Sequence, residues 1–451
     1  MTLYDVIMTS LIDFLLKRVV CYLGKSFLLV SLLTSILEYD GSEVTVTASK
    51  LPRIFSLDYD PVTELVYFIS NGGIRRIGRD GKRMETIVDR VFASDGLRLD
   101  HAGGNVYWTM VRTISVARAA DGESYVKTLL TTDSPSGLAL DPRNGLMYWT
   151  SDGGNARVDR AAMDGSNHTT LIRGLHRPRA ITIDYTEDRL YFCDGYKIYS
   201  SDLQGNYTLF QNDMTYKVGI AVDDNYVYWG SIWEERGIRM KSKSSTNQTF
   251  TTIMADDVSH PVDFYVSTAS RINTTNHGCS SFNGGCQELC LSHPEGIRCA
   301  CRDNWELQKD GVTCCLSGYT TYAGACFKAF NQENTYDNAR QVCEADGGML
   351  ALPKDKDVSN FLRDLKNAVS ESSRFWIGLS DQKDEGEWMW EDGTQHDTIG
   401  DWSNWQPGEP NDNQGVEDCA NYGGSGWNDA PCSSTYKFIC QMEKGIPRNV
   451  L

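Results

Sequence analysis

The sequence predicts a multidomain protein with an all-β repeat domain, a small disulfide-rich module and a C-terminal α+β domain. A tyrosine-centred phrase recurs about every 40 residues in the first half of the chain. Cysteines are sparse up to Cys279 and dense after it, and two amphipathic helical patterns followed by strand patterns come after Cys314. At 451 residues, two or three domains are expected.

The composition indicates an extracellular protein, either secreted or associated with a membrane surface. Only Cys21 and Cys193 precede Cys279, so 12 of the 14 cysteines form a dense, even-numbered block that is typical of disulfides. The net charge of -17 argues against nucleic acid as a partner. Sequons for N-glycosylation agree with this compartment, and they begin at Asn167, Asn206, Asn247 and Asn273.

The N-terminal segment allows more than one interpretation. "FLLVSLLTSI" has the length of a signal-peptide core behind a basic flank, and it is shorter than the roughly 20 apolar residues of a membrane span. Residues 27–36 are therefore either a removed signal core or the first strand of the repeat domain. Residues 1–25 are assigned to a leader or extension.

The recurring phrase predicts propeller blades. "VYFIS", "VYWTM", "MYWTS", "LYFCD" and "VYWGS" place tyrosines at intervals of 40, 41, 43 and 37 residues. An apolar strand ending in Asp precedes each phrase, and an alternating strand and a turn such as "RDG" follow it. Four short strands per period of about 40 residues are typical of a blade. The tyrosines are Tyr67, Tyr107, Tyr148, Tyr191 and Tyr228.

The phrase resembles the YWTD repeat of the low-density-lipoprotein-receptor class B family, which implies a six-bladed propeller over residues 26–273. The sixth blade would combine "FLLVSLLTSILEYDGSEVTV" with the closing strand in "HPVDFYV". Cys193 stands where the family usually has Thr and is expected to be a buried free thiol. Trp233 in "SIWEERG" is a candidate contact for a protein ligand, or it packs on its own blade.

The cysteines from Cys279 to Cys314 resemble an EGF-like module over residues 279–314. Six cysteines alone allow 15 connectivities, so any pairing rests on the resemblance. It implies the pairs Cys279–Cys290, Cys286–Cys299 and Cys301–Cys314, and a module docked on the propeller.

Residues 315–443 resemble a C-type lectin domain over its full length. Helical patterns cover Tyr336 to Cys343 and "DKDVSNFLRDLKNAV", and "FWIGL", "EPN", "WNDAPC" and "YKFIC" follow in the family's order. The resemblance implies the pairs Cys315–Cys326, Cys343–Cys440 and Cys419–Cys432.

One loop, "WQPGEPNDNQGVEDC", crowds carboxylate and amide oxygens together. From residue 315 to the end there are 22 acidic and 11 basic residues. Oxygen donors at this density, without thiol or imidazole beside them, suit Ca²⁺, which takes 6–8 oxygens. Pro410 is expected to follow a cis bond that aims its neighbours at one point. The resemblance implies a principal calcium site formed by Glu409, Asn411, Glu417, Asn428 and Asp429. It implies a second site formed by Asp381, Glu385, Asp412 and Asp418.

The five principal residues would also bind the sugar, and Glu-Pro-Asn is the order of mannose-binding members. Their ligands have equatorial 3- and 4-hydroxyls, as in mannose, N-acetylglucosamine, glucose or fucose. Calcium-dependent lectin activity, presented on a propeller–EGF unit, is therefore the predicted function. One alternative is a receptor-like protein-binding module with an accessory lectin domain, and another is a lectin fold that recognises protein. No catalytic triad or phosphate loop is found, so an enzyme is not predicted.

Overall fold

A computed structural model describes residues 27–443 except for short gaps at 93–94, 120–124, 213–214, 232–236, 255–257, 259–260, 268–277, 398–400 and 425. The predicted leader, Cys21, Trp233 and Asn273 lie outside the described residues. The chain forms two compact units, one up to Asp303 and the other from Asn304 onward.

The described residues of the first unit form six four-stranded antiparallel sheets. Five of the sheets use consecutive strands. Sheet 2 contains β4 (Ile54–Asp60), β5 (Leu65–Ser70), β6 (Gly73–Gly78) and β7 (Glu85–Asp89). Sheet 3 contains β8 (Leu97–Asp100), β9 (Asn105–Met110), β10 (Thr113–Arg118) and β11 (Val126–Thr131). Sheet 4 contains β12 (Pro135–Asp141), β13 (Leu146–Ser151), β14 (Arg157–Ala162) and β15 (Thr169–Arg173). Sheet 5 contains β16 (Pro178–Asp184), β17 (Arg189–Asp194), β18 (Lys197–Asp202) and β19 (Tyr207–Asn212). Sheet 6 contains β20 (Lys217–Val222), β21 (Tyr226–Ser231), β22 (Ile238–Ser242) and β23 (Thr251–Ile253).

Sheet 1 joins the two ends of the propeller. It contains β24 (Asp263–Val266), β1 (Leu28–Ser31), β2 (Ile36–Tyr39) and β3 (Val44–Ala48), in that spatial order. Strand β1 pairs with β2 on one edge and with β24 on the other. The innermost strands contact one another around a closed ring from β4 through β20 to β24. The prediction of a six-bladed propeller is therefore confirmed, and residues 27–36 contribute to its sheet 1.

The repeated aromatic phrase lies on the second strand of its sheet and fills the space between neighbouring sheets. Trp108, Trp149 and Trp229 are at most 2 % exposed. Trp149 packs in one cluster with Ile114 of sheet 3, so the phrase joins adjacent blades. Cys193 is buried and forms no disulfide with another described cysteine, in agreement with the prediction.

A buried ionic cluster fastens the closing strand. The Asp263 Oδ2 atom on β24 accepts hydrogen bonds from Ser56 Oγ at 2.6 Å and from the Leu57 backbone N–H at 3.2 Å, both on sheet 2. It also pairs with the Arg98 guanidinium of sheet 3 at 3.2 Å. Because buried charges are costly unless paired, Asp263 and Arg98 depend on each other, and the cluster connects three sheets.

The disulfide-rich segment up to Asp303 docks on the propeller, as expected. Hairpin strands β25 (Leu289–His293) and β26 (Gly296–Ala300) follow a turn at Phe282–Gly285. Leu289 packs into the core between sheets 3 and 4, and Asn105 Nδ2 donates to the Cys290 carbonyl at 2.8 Å. The pairs Cys279–Cys290 and Cys286–Cys299 form as the resemblance implied, and Cys301 and Cys314 are also disulfide-bonded.

The second unit contains a mixed sheet, a separate sheet of two strands and two amphipathic helices. Its early strands are β27 (Trp305–Leu307), β28 (Cys314–Leu316), β29 (Thr320–Tyr322), β30 (Ala325–Asn334) and β31 (Met349–Leu350). The later strands are β32 (Phe375–Ser380), β33 (Met389–Trp390), β34 (Cys419–Tyr422), β35 (Trp427–Ala430) and β36 (Tyr436–Glu443). The sheet runs β29-β30-β36-β32-β34-β35, with β31 on β36 and β33 on β32. The helices are α1 (Tyr336–Ala345) and α2 (Lys356–Val369).

Both helices begin at capping side chains. The Thr335 hydroxyl accepts from the Asn338 N–H at the start of α1, and Asp355 accepts from two N–H groups at the start of α2. Leu362 of α2 is fully buried, and Phe361 packs beside it against the sheet. The predicted apolar face of the second helix is therefore confirmed.

The disulfides of the second unit follow the predicted pairing. The pairs are Cys315–Cys326, Cys343–Cys440 and Cys419–Cys432. The division into compact units falls after Asp303, inside the predicted EGF-like module of residues 279–314. Strand β27 pairs with β28, and Trp305 and Leu316 pack against the core of the second unit. Burial of these side chains therefore places the end of the predicted EGF-like module with the second unit.

Candidate functional site

The acidic loop before β34 is organised by one buried carboxylate on the neighbouring strand. Strand β34 pairs with β35 so that Ala420 faces Asp429. Asp429 is fully buried, and its Oδ2 accepts from the backbone N–H groups of Asn411 at 2.8 Å and Asp412 at 2.7 Å. Two charge-assisted hydrogen bonds therefore hold the loop against the strand.

The predicted principal residues meet around Asp429. The Glu409–Pro410 peptide bond is cis, as predicted. Asn411 Nδ2 donates to Glu409 Oε2. Glu417 is held on the same loop, because its N–H donates to Asp412 Oδ1 at 3.2 Å. Asn428 precedes Asp429 on β35, and its side-chain amide donates to the Asp429 carbonyl.

The charges of this cluster oppose one another. Burial raises the pKa of Glu409, and contact with the carboxylate of Asp429 and the charge of Glu417 raise that pKa further. The second oxygen of Asp429, Oδ1, is buried without a hydrogen-bond partner in the described part of the chain. A buried, unpaired carboxylate oxygen beside other carboxylates fits a site for a cation.

The four residues of the predicted second site also lie together. Carboxylate oxygens of Glu385, Asp412 and Asp418 lie within 4.8 Å of one another. Asp381 is 3 % exposed, and its Oδ2 accepts from the Gly386 N–H at 3.0 Å. Its Oδ1 is buried without a hydrogen-bond partner in the described ranges, as for Asp429.

Electrostatics connect Asp381 to this second cluster. Burial raises the pKa of Asp381, the Gly386 N–H opposes the increase, and the charges of Asp418 and Asp412 add to it. The charge of Asp381 is the largest cause of the raised pKa of Glu385. Asp412 faces both clusters, because its N–H donates to Asp429 and its carboxylate lies beside Glu385 and Asp418. Both donor sets consist of oxygen atoms alone, which suits a hard cation such as Ca²⁺.

An aromatic cluster beneath the loop was not predicted from the sequence. The Trp427 ring is contacted edge-on by Trp390, Trp402 and Trp405 at centroid distances of 5.5–5.9 Å. The backbone N–H of Trp427 donates to the Asn404 carbonyl at 2.7 Å. The density of tryptophan between positions 388 and 427 was the signal that could have indicated this support.

His396 belongs to the aromatic cluster and not to the acidic ones. It is 3 % exposed and lies against Trp390 and Trp427 at centroid distances of 5.4 and 6.0 Å. Burial lowers its pKa, so the imidazole is neutral at physiological pH.

Comparisons with known proteins identify the domains. Residues 332–442 match the family model of the lectin C-type domain. The second unit contains a C-type lectin domain. Residues 145–185 match the low-density lipoprotein receptor repeat class B, within sheets 4 and 5 of the propeller. Residues 275–314 match the model of the coagulation factor Xa inhibitory site.

Relatives of the lectin domain cover only part of this chain. C-type lectin domain family 4 member M of Symphalangus syndactylus is 37 % identical over 128 residues, 28 % of this chain and 29 % of that protein. This chain therefore spans less than a third of the length of that relative.

Solved structures similar to this chain each cover part of it. The cow CD23 carbohydrate-recognition domain, solved in the presence of a GlcNAc2Man3 oligosaccharide, is 32 % identical, with 29 % of this chain and 98 % of that chain covered and a TM-score of 0.27. A chain of the nidogen/laminin complex is 20 % identical, with 54 % of this chain and 99 % of that chain covered and a TM-score of 0.49.

The disulfides, the lectin domain and the class B repeat together indicate an extracellular or cell-surface location. Within the described residues, no helix is both long and apolar enough to span a membrane. C-type lectin domains generally bind calcium and glycans, which is the chemistry for which the two acidic clusters are suited.

Proposed function

We propose that this chain is an extracellular protein, secreted or associated with a membrane surface, that binds mannose-type glycans in a calcium-dependent manner. The observation that carries the proposal is the arrangement around Asp429: its Oδ2 binds the loop of oxygen ligands, and its Oδ1 is buried without a hydrogen-bond partner in the described residues. Such an oxygen is costly unless a cation or a donor satisfies it.

Two sets of side chains would hold calcium. When bound, the ion supplies a positive charge to which two neighbouring sugar hydroxyls each give a lone pair. The principal set consists of Glu409, Asn411, Glu417, Asn428 and Asp429. The second set consists of Asp381, Glu385, Asp412 and Asp418, and we propose that it holds a second ion that stabilises the loop.

The loop's own side chains would orient the sugar. Asn411 Nδ2 donates to Glu409 Oε2 in this structure, so a donor and an acceptor already lie side by side. A sugar hydroxyl between them can accept from Asn411 and donate to Glu409, because a hydroxyl group does both. The order Glu-Pro-Asn places the acceptor before the donor, and this supports a preference for the equatorial hydroxyl pair of mannose, N-acetylglucosamine or fucose.

Exchange of this donor and acceptor tests the proposal. In the double variant Glu409→Gln, Asn411→Asp, calcium-dependent retention should move from a mannose resin toward a galactose resin. Glu387→Gln with Asn338→Asp makes the same chemical changes at exposed positions and should leave mannose binding unchanged. Unaltered mannose binding by the first double variant would contradict the site assignment.

We further propose that the propeller and its docked disulfide-rich segment present the lectin domain and contact a protein ligand. If a variant with an inactive calcium site still captures that ligand, the result supports the alternative, in which this chain is a receptor-like module and the lectin domain is accessory. No catalytic role is proposed, because carboxylates engaged as calcium ligands are unavailable as a general acid and base.

A further inference from the structure

Sequons occupy equivalent turns in three consecutive sheets of the propeller. Asn167 lies between β14 and β15 of sheet 4, Asn206 between β18 and β19 of sheet 5, and Asn247 between β22 and β23 of sheet 6. All three side chains are exposed. Each turn joins the third and fourth strands of its sheet.

These three turns lie at one end of the ring. In a propeller, every sheet runs from its innermost to its outermost strand in the same sense, so turns between third and fourth strands share one end. The equivalent turns of sheets 1, 2 and 3 contain no sequon, nor do residues 315–443. N-glycosylation at the three turns would therefore form one row on half of the ring, and it would leave the lectin domain free of N-glycans.

The local geometry is compatible with sugar attachment. The Asn247 side-chain oxygen accepts from the backbone N–H of Thr249, the third residue of its sequon, at 3.1 Å, so the attachment nitrogen points away from that bond. Asn206 Nδ2 donates to Asp202 Oδ2 at 2.8 Å at the surface. This bond can persist after attachment, because a glycosylated amide nitrogen keeps one N–H.

We propose that this row of three N-glycans is a ligand for the lectin domain of a second copy of this chain, so that copies associate through calcium. The inference rests on the proposed function, because N-glycans of the high-mannose type end in mannose. A net charge of -17 opposes direct contact between copies, and glycans extend the contact away from the protein surface. Because the three glycans lie at one end of the propeller ring, a lectin site that dissociates from one glycan meets a high local concentration of the other two and can bind again.

Sedimentation velocity on the full chain tests this inference. The chain is produced in cells that leave N-glycans ending in mannose. The triple variant Thr169→Ala, Thr208→Ala, Thr249→Ala removes the three sequons of the row and keeps the one at Asn273. The matched triple Thr→Ser variant at the same positions keeps them. Wild type and the Ser variant should show about a twofold rise in weight-average mass with calcium, and chelator or free methyl α-mannoside should reverse it. The Ala variant should remain monomeric and still bind mannose resin.

The outcomes separate this inference from the proposed function. The inference is overturned if the mass of the wild type does not depend on calcium, or if the calcium-dependent rise in mass persists in the Ala variant. The proposed function still stands in either case if the wild type is retained on mannose resin. Unmodified Asn167, Asn206 and Asn247 in glycopeptide mass spectrometry overturn it as well. Failure of the wild type to bind mannose resin removes both the proposed function and the inference.

Discussion

Asp429 offers the sharpest test of the calcium site, because it holds the loop in place and would also bind the ion. The isosteric change Asp429→Asn separates these two roles. Asp429→Asn keeps an oxygen that can accept from the N–H groups of Asn411 and Asp412. It removes the negative charge that a cation would need. Without calcium, the two hydrogen bonds weaken from about 1.5–3 to about 0.5–1.5 kcal/mol each. Relief of the repulsion between Asp429 and Glu409 offsets part of that loss.

The expected magnitude follows from linkage. Calcium at a hundredfold excess over its dissociation constant stabilises the wild-type domain by about 2.7 kcal/mol. For a unit of this size, that corresponds to a rise of roughly 10 °C in the melting temperature. The Asp429→Asn variant should melt within a few degrees of wild type in chelator, and it should lose most of the rise in calcium.

Calorimetry of the full chain with calcium or chelator measures both effects, because the calcium-sensitive transition identifies the lectin domain. Asp364→Asn removes an exposed charge on α2 and should show the full wild-type rise. If Asp429→Asn keeps the same rise as the control, Asp429 is not a calcium ligand and the site assignment is wrong.

Three further predictions concern pH and the propeller. Bound glycan should be released near pH 5, with a midpoint that moves to lower pH as calcium increases, because the raised pKa values of Asp381 and Glu409 let protons compete with the ion. Elution from mannose resin measures this, and His396→Gln should leave the midpoint in place; a midpoint independent of calcium would exclude competition. A chain starting at Tyr39 lacks β1 and should aggregate, whereas equal yield and melting behaviour would contradict a role for residues 27–36 in ring closure. Asp263→Ala should destabilise the propeller by about 3–5 kcal/mol in urea unfolding, because Arg98 is left buried and unpaired; a loss below 1 kcal/mol would contradict this.

Structural features that depend on short motifs with fixed spacing were predictable from the sequence. The tyrosine phrases, the closing strand near Val266, the two helices and the cis bond before Pro410 all depend on short motifs, and the structure contains each of them. Local chemistry determines these features, so a motif carries most of the information.

Features that depend on segments meeting in space were not predictable. The role of Asp429 as acceptor for the N–H groups of Asn411 and Asp412 arises only when β35 approaches the loop. Likewise, cysteine spacing marks a disulfide module but does not show that Trp305 packs on the core of the second unit. Packing partners distant in sequence leave no periodic signal.

Ring closure through β1 and β24 sets an order of events during biosynthesis. Ser31 and Asp263 meet across 232 residues of chain. At a synthesis rate of about 5–20 residues per second, the edge of β1 waits on the order of 10–50 s before its partner strand leaves the ribosome. An unpaired strand edge can pair with other chains during that interval. The last strand of the propeller to be translated, β24, therefore completes its first sheet, and the edge of β1 stays open to such pairing until then.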